Sequence, residues 1–198
     1  MKNDKVNELL LEALETEKGG VQVYETAIRC AMNEDLKEEW EKYLEQTRNH
    51  VTRLENVCQE LGIDANEETP GKEIVRHIGS SLVQAMSMAL QNGNRENAEV
   101  VAAECVTLAE TKDHLNWELI GEIAKNMKGD EKKTLQDAYD ETEEEEDEHL
   151  YHTQGWTREL HIQALGLKAV LPPPEEKKDV KTAIGAERAK NARTKMAR

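Results

Sequence analysis

The stretch ETEKGGVQVYETAIRCAMNEDLKEEWEKYLEQTRNH, residues 15–50, joins the latter part of one amphipathic run to the first part of another. Before the junction Leu10, Ala13, Leu14, Val21, Tyr24 and Ile28 recur at helical spacing; after it Leu36, Tyr43, Leu54, Val57 and Leu61 do the same. Asn33-Glu34-Asp35 supplies a turn and an N-cap. Helices are therefore expected over 6–32 and 35–61, folded back on each other. Glu17 and His50 both fall on the apolar stripes and are equidistant from the turn, so an antiparallel hairpin sets them face to face. The Gly19-Gly20 pair weakens the first helix by about 1 kcal/mol per glycine and is tolerable where two backbones approach closely.

The same layout recurs further along. A polar loop through Pro70-Gly71 leads into a shorter helix over 72–90, then a third long helix over 95–127, a Lys128-Gly129-Asp130 turn and a fourth over 130–165. Two hairpins with short turns, joined by a long helical connection, define an all-α class: an antiparallel four-helix bundle with one crossover between helices two and three. The phrase LEQTRNH at 44–50 returns as LAETKDH at 108–114, which adds weak support for two related halves.

Ionisable residues on apolar stripes need a partner or a metal. On the fourth helix Leu135, Ala138, Thr142, His149, Trp156 and Leu160 share a face, with Glu145 and Glu146 at its edges. Reflection about residue 129 brings Glu110, His114, Glu145, Glu146 and His149 to one level, since one residue is about 1.5 Å along a helix axis. Glu146 and His149 form an ExxH pair, the spacing that aims a carboxylate and an imidazole at one centre. The candidate metal ligands are Glu17, His50, Glu110, His114, Glu146 and His149. Carboxylate with imidazole suits iron or manganese, in one or two ions, or zinc, more than magnesium or calcium. Competing readings stand beside this one. The run EEEEDE at 143–148 also fits a solvated face, His50 a core histidine bonded to Glu17, and His114 either role. Thr47 and Thr111 either support an imidazole or bond their own helix carbonyls, while Tyr24 and Trp156 read as core.

Composition bounds the function. The 198 residues carry a net charge of −15, no Phe and only three cysteines without a CxxC pair, which reads as a reduced, helical, cytoplasmic protein. Residues 177–198 hold eight Lys/Arg against Asp179 and Glu187. The remainder is correspondingly more acidic, which disfavours nucleic acid as a partner. No run reaches the roughly 18 apolar residues of a membrane span, and the first eighteen residues lack a secretory apolar core. A bundle over 1–168 is expected to carry a basic tail over 169–198, linked by the rod-like LPPP at 171–174; alone the tail is mobile, and it reads as a solubilising or self-docking segment or as one that docks a partner.

At this point a resemblance emerges. ETEKGGVQVYETAI (15–28) and LEQTRNHVTRLENVCQELG (44–62) resemble the ferritin-like superfamily, in particular its bacterial stress-associated YciF-type group, over about residues 6–167. The resemblance implies ligands from Glu17, His50, the third helix, and Glu146 with His149. It implies iron or manganese as cofactor and oxygen or peroxide as reactant, in a ferroxidase- or peroxidase-like stress role. Where the superfamily places a second-helix carboxylate this chain has Thr47, so Glu45 or Gln46 would have to compensate, and either one ion or an asymmetric pair results. The alternative is a metal-free structural or adaptor bundle whose basic tail meets a protein partner. A homodimer is compatible with either.

Overall fold

The computed structural model describes residues 4–197; Met1, Lys2, Asn3 and Arg198, the ends of the two expected units, lie outside the described residues. The architecture is an all-helical bundle. In chain order the helices are α1 (Asp4–Cys30), α2 (Glu34–Glu60), α3 (Pro70–Gln91), α4 (Arg95–Asn126), α5 (Gly129–Asp140), α6 (Glu143–Ala164), α7 (Pro174–Lys177) and α8 (Ala183–Met196).

The α1–α2 turn is capped as its residues dictate: Asn33 Oδ1 accepts the Leu36 N–H at 3.2 Å. Glu99, near the start of α4, accepts the Met32 and Asn33 N–H groups at 2.7 Å each, tying the second hairpin to the turn of the first. Cross-helix contacts then run antiparallel along α1/α4, as Trp117 meets Glu17, and along α2/α6, as Glu39 meets Trp156 and His50 meets Glu145. Helix α1 packs on α2, α3 and α4, while α4 also packs on α5 and α6. The glycine pair has the role expected of it. Gly19 faces Gly79 of α3, and a Cβ on Gly20 would meet Thr47 of α2 at 3.3 Å.

The apolar core is split. One cluster contains Tyr24, Trp40, Tyr43, Met86, Val106 and Trp156; the other contains Leu10, Leu14, Leu54, Trp117, Ile120 and Leu135. Between them lies a stratum of buried polar side chains contributed by four helices. The three cysteines are buried free thiols.

The fourth helix departs from the expected continuous run over 130–165: it breaks after Asp140 and restarts at Glu143. Thr142 sits at the break. Its buried hydroxyl donates to the Ala138 carbonyl at 2.9 Å and accepts from the Arg53 guanidinium at 2.7 Å. The break also relieves electrostatics, because it turns Glu143 to Glu146 from mid-helix like charges into first-turn acids at the favourable end of the α6 dipole.

The linker to the tail also differs from expectation. Residues 171–174 do not form a free rod: Pro173, Pro174 and Glu175 are buried. Arg158 of α6 grips the Glu175 carboxylate with two bonds of 2.7 and 2.8 Å. Buried Glu159 accepts the Val170 N–H at 2.8 Å and is held by Arg193 of α8. The basic tail's acidic partner is thus α6 of the same chain. Arg158→Ala strands a buried carboxylate, at a cost of about 3 kcal/mol. It is expected to expose Lys177 and Lys178 to trypsin far faster than in the wild type, read by mass spectrometry of limited digests. Equal cleavage rates would contradict the docked arrangement.

Candidate metal centre

Four helices deliver side chains to the polar stratum. Helix α1 brings Glu17, α2 His50, α4 Glu110 and Asp113, and α6 Glu146 and His149; all are buried. Two groups of three place ligand-type atoms within 4.8 Å of one another: Glu17, His50 and Glu146, and Glu110, Glu146 and His149. Glu146 belongs to both. Its Oε1 lies 3.0 Å from His50 Nδ1 and 3.6 Å from His149 Nδ1. Glu17 Oε1 stands 3.4 Å from His50 Nδ1, and Glu110 Oε2 stands 3.5 Å from His149 Nδ1.

The two imidazoles are anchored from behind. His50 Nε2 meets Glu145 Oε2 at 2.8 Å, and His149 Nε2 meets Gln46 Oε1 at 3.0 Å. Both partners are acceptors, so each ring carries a proton on Nε2 and turns Nδ1 inward. Gln46, which the sequence offered with Glu45 as a substitute ligand, instead orients a ligand-type ring, as Glu145 orients the other, while Glu45 pairs with Arg48 at the surface. The Glu17 carboxylate is fixed in the same way by the Trp117 indole N–H at 2.7 Å.

What faces the interior of the cluster is unsatisfied. Glu17 Oε2, His50 Nδ1, Glu110 Oε2, Asp113 Oδ1, Glu146 Oε2, His149 Nδ1 and the Tyr24 hydroxyl have no hydrogen-bond partner. Buried polar atoms without partners are rare in folded proteins, and here they converge on one place. The titration behaviour agrees. Burial, with Glu17 and Glu110 close by, pushes the Glu146 carboxyl up to about 7 despite its contact with His50. Burial and the same carboxylates raise Asp113 well above its usual range. Burial opposes charge on His50, but Glu17, Glu145 and Glu146 outweigh it and raise its pKa well above the histidine norm. His149 is raised likewise, with Glu110 and Glu146 overcoming burial. Without metal, protons must stand in for cations.

Of the six residues singled out in the sequence, the structure brings five together. His114 is turned away from the cluster and pairs with Asp147 at 2.6 Å. Its predecessor Asp113 is the group that enters the stratum, one step round the helix. Thr47 and Thr111 bond the Tyr43 and Thr107 carbonyls of their own helices and do not support an imidazole. Tyr24 is in the core as read, yet its hydroxyl lies beside the Glu110 carboxylate. In the repeated phrase, Asn49 and Asp113 occupy equivalent places; the change from amide to carboxylate was the available signal for Asp113.

These features define a helical bundle with buried histidine and carboxylate groups in position to hold metal ions. Residues 3–154 match the family described as domain of unknown function DUF892, and the chain belongs to it. That span includes every residue of the stratum and stops short of the docked tail. Neither the curated proteins nor the solved structures contain a match. Among the described residues no helix is long and apolar enough to cross a membrane.

Proposed function

We propose that this chain is a ferritin-like di-metal protein that binds iron or manganese within its bundle and reacts with oxygen or peroxide in stress protection. The observation that carries the reading is the convergence of unpartnered ligand-type atoms on the shared Glu146 carboxylate. Charge supports two ions over one. Glu17, Glu110, Asp113 and Glu146 together supply four negative charges, which two divalent cations neutralise. His50 and His149 add one neutral nitrogen to each group. In this reading Asp113 on α4 takes over the carboxylate that Thr47 fails to supply on α2.

When bound, a redox-active metal pair supplies electrons to the oxidant. The chain's own part is positional. Glu145 and Gln46 hold the imidazoles in the tautomer that presents Nδ1, Trp117 orients Glu17, and Glu146 joins the two groups. Access fits a small reactant: a cleft of about 210 Å³ between α4 and α6 has Trp117 and Glu146 in its wall. His114 and Asp147 line the same cleft, which gives His114 a place on the approach to the centre.

Metal analysis tests the reading. Protein expressed in iron- or manganese-supplemented medium should carry about two ions per chain at the cluster, as this geometry implies. His149→Asn should lose one of them and Glu146→Gln both. Metal-free wild-type protein from such medium would return the chain to a structural or adaptor role.

A further inference from the structure

An apolar groove of about 220 Å³ is bounded by α1, α3 and α4. Sequence spacing builds it. Val75, Ile78, Gly79 and Leu82 of α3 line it at i, i+3, i+4 and i+7, the positions that share one helix face. On α1 the glycine pair lines it and fills none of it with side chain. Ile78 on α3 and Leu108 on α4 are 50% and 61% exposed, so this aliphatic surface stands open among the described residues. Small-molecule sites have this make-up: a mostly apolar concavity with a few polar groups that fix orientation.

The polar side chains in the lining are Glu15, Thr16 and Lys112. Two of them are already engaged. Glu15 accepts two bonds from the Arg76 guanidinium, at 2.7 and 3.2 Å. The Thr16 hydroxyl donates to the Glu12 carbonyl at 2.9 Å and accepts from Asn116 Nδ2 at 3.0 Å. Asn116 is fully buried. With its amide N–H directed to Thr16, its Oδ1 is left to accept from Lys112 Nζ. That bond uses one of the three ammonium hydrogens. Among the described residues no carboxylate forms an ion pair with Lys112; Asp113 and Glu12 act on it from further off, and burial outweighs them to lower its pKa. A half-buried ammonium, anchored by a buried amide at the wall of an apolar groove, calls for an anion.

We propose that this groove binds a small monocarboxylate with an apolar body, the body lying against α3 and α4 and the carboxylate accepting from the remaining donors of Lys112. Such a bond is charge-assisted and selects an acid over a neutral molecule of the same shape. Size points the same way. An apolar cavity of about 150 Å³ accepts benzene, so this groove suits a body of roughly nine heavy atoms. Glu12, Glu15 and Asp113 around Lys112 disfavour a second negative charge, which excludes dicarboxylates. The groove shares α1 and α4 with the polar stratum, since Thr16 and Lys112 immediately precede Glu17 and Asp113. Its occupancy requires no metal.

Titration calorimetry of the metal-free full chain with octanoate tests the proposal. One octanoate should bind per chain, more tightly than octanol, octylammonium or octanedioate. Lys112→Met should weaken octanoate at least fivefold and leave octanol unchanged. Leu108→Asn, at an exposed position that the fold does not need, should weaken both; circular dichroism verifies each variant. No octanoate bound by the wild type, or octanoate affinity indifferent to Lys112→Met, would overturn the site. So would light scattering that shows a wild-type dimer split by Leu108→Asn, because the groove would then be covered by a second copy of the chain. Chelator is present throughout, so these outcomes are read whether or not the central cluster holds metal.

Discussion

Zinc(II), used as a redox-silent probe, is expected to raise the melting temperature of the wild-type chain by about 10 °C for each tightly held ion. A ligand that binds only the folded state at a thousand times its dissociation constant adds about 4 kcal/mol. In a chain of about 200 residues each kcal/mol moves the midpoint by about 2–4 °C. The effect should be large here because the metal-free stratum is so poorly satisfied: six ligand-type atoms and a tyrosine hydroxyl lack partners between two well-packed core clusters. Glu146→Gln should remove most of the shift, since Glu146 is common to both groups. His149→Asn should leave the contribution of the Glu17–His50 group. Magnesium at the same concentration should do little, because imidazole nitrogen is a poor ligand for it. A differential scanning fluorimetry series with zinc, manganese and magnesium makes the comparison. Equal shifts in wild type and Glu146→Gln would place the bound metal elsewhere.

Much of this arrangement was legible because an antiparallel hairpin is a ruler. Glu17 and His50 could be paired across the turn at residues 33–34 from spacing alone, and the structure sets them 3.4 Å apart. Reflection across the second turn was coarser, because helix α4 carries apolar residues on two sides. It found the right level but not the right side chain, so His114 was favoured where Asp113 enters. Periodicity does not register the break in the fourth helix, where a buried threonine bonds both Ala138 and Arg53. How the tail docks was illegible for a similar reason. Proline content and basic charge left a free and a self-docking segment both open, but Gly155 of α6 leaves room for Pro173 and Glu175, where a Cβ would stand 3.0 Å from the proline and 2.7 Å from the carboxylate. That complementarity exists only once the chain is folded. The outward use of Glu145 has the same origin, since which of Glu145 and Glu146 faces the cluster and which one steers depends on rotation about the α6 axis after the break.

The metal-free protein should lose stability as pH rises, and Glu146→Gln should reverse much of that loss. Glu146 has its folded pKa raised to about 7 from an ordinary 4.5. The folded state therefore holds its proton more tightly than the unfolded chain does. Stability from this group is complete below about pH 4.5 and is lost between there and about pH 7, amounting to about 3 kcal/mol. Asp113, also raised, acts in the same direction. His50 and His149 are raised as well, so their contribution is full below the ordinary histidine pKa and fades as pH climbs through the folded values. Glu145 opposes these four. Its bond to His50 lowers it to about 2, so its contribution is present above 4.5 and declines as pH falls toward 2. Together they place the optimum of the metal-free chain on the acid side of neutrality. Glu146→Gln, which cannot ionise, should be up to about 3 kcal/mol more stable than the wild type at pH 8 while binding neither central ion. With metal present the slope should invert, because ligands must shed their protons to bind and metal affinity rises with pH. Urea unfolding at pH 5 and pH 8, with chelator and with zinc, gives all four corners. A Glu146→Gln variant less stable than the chelated wild type at pH 8 would show that the buried glutamate is there for the fold. A more stable one would show that the fold carries it at a cost, as expected of a residue kept for the ion it holds.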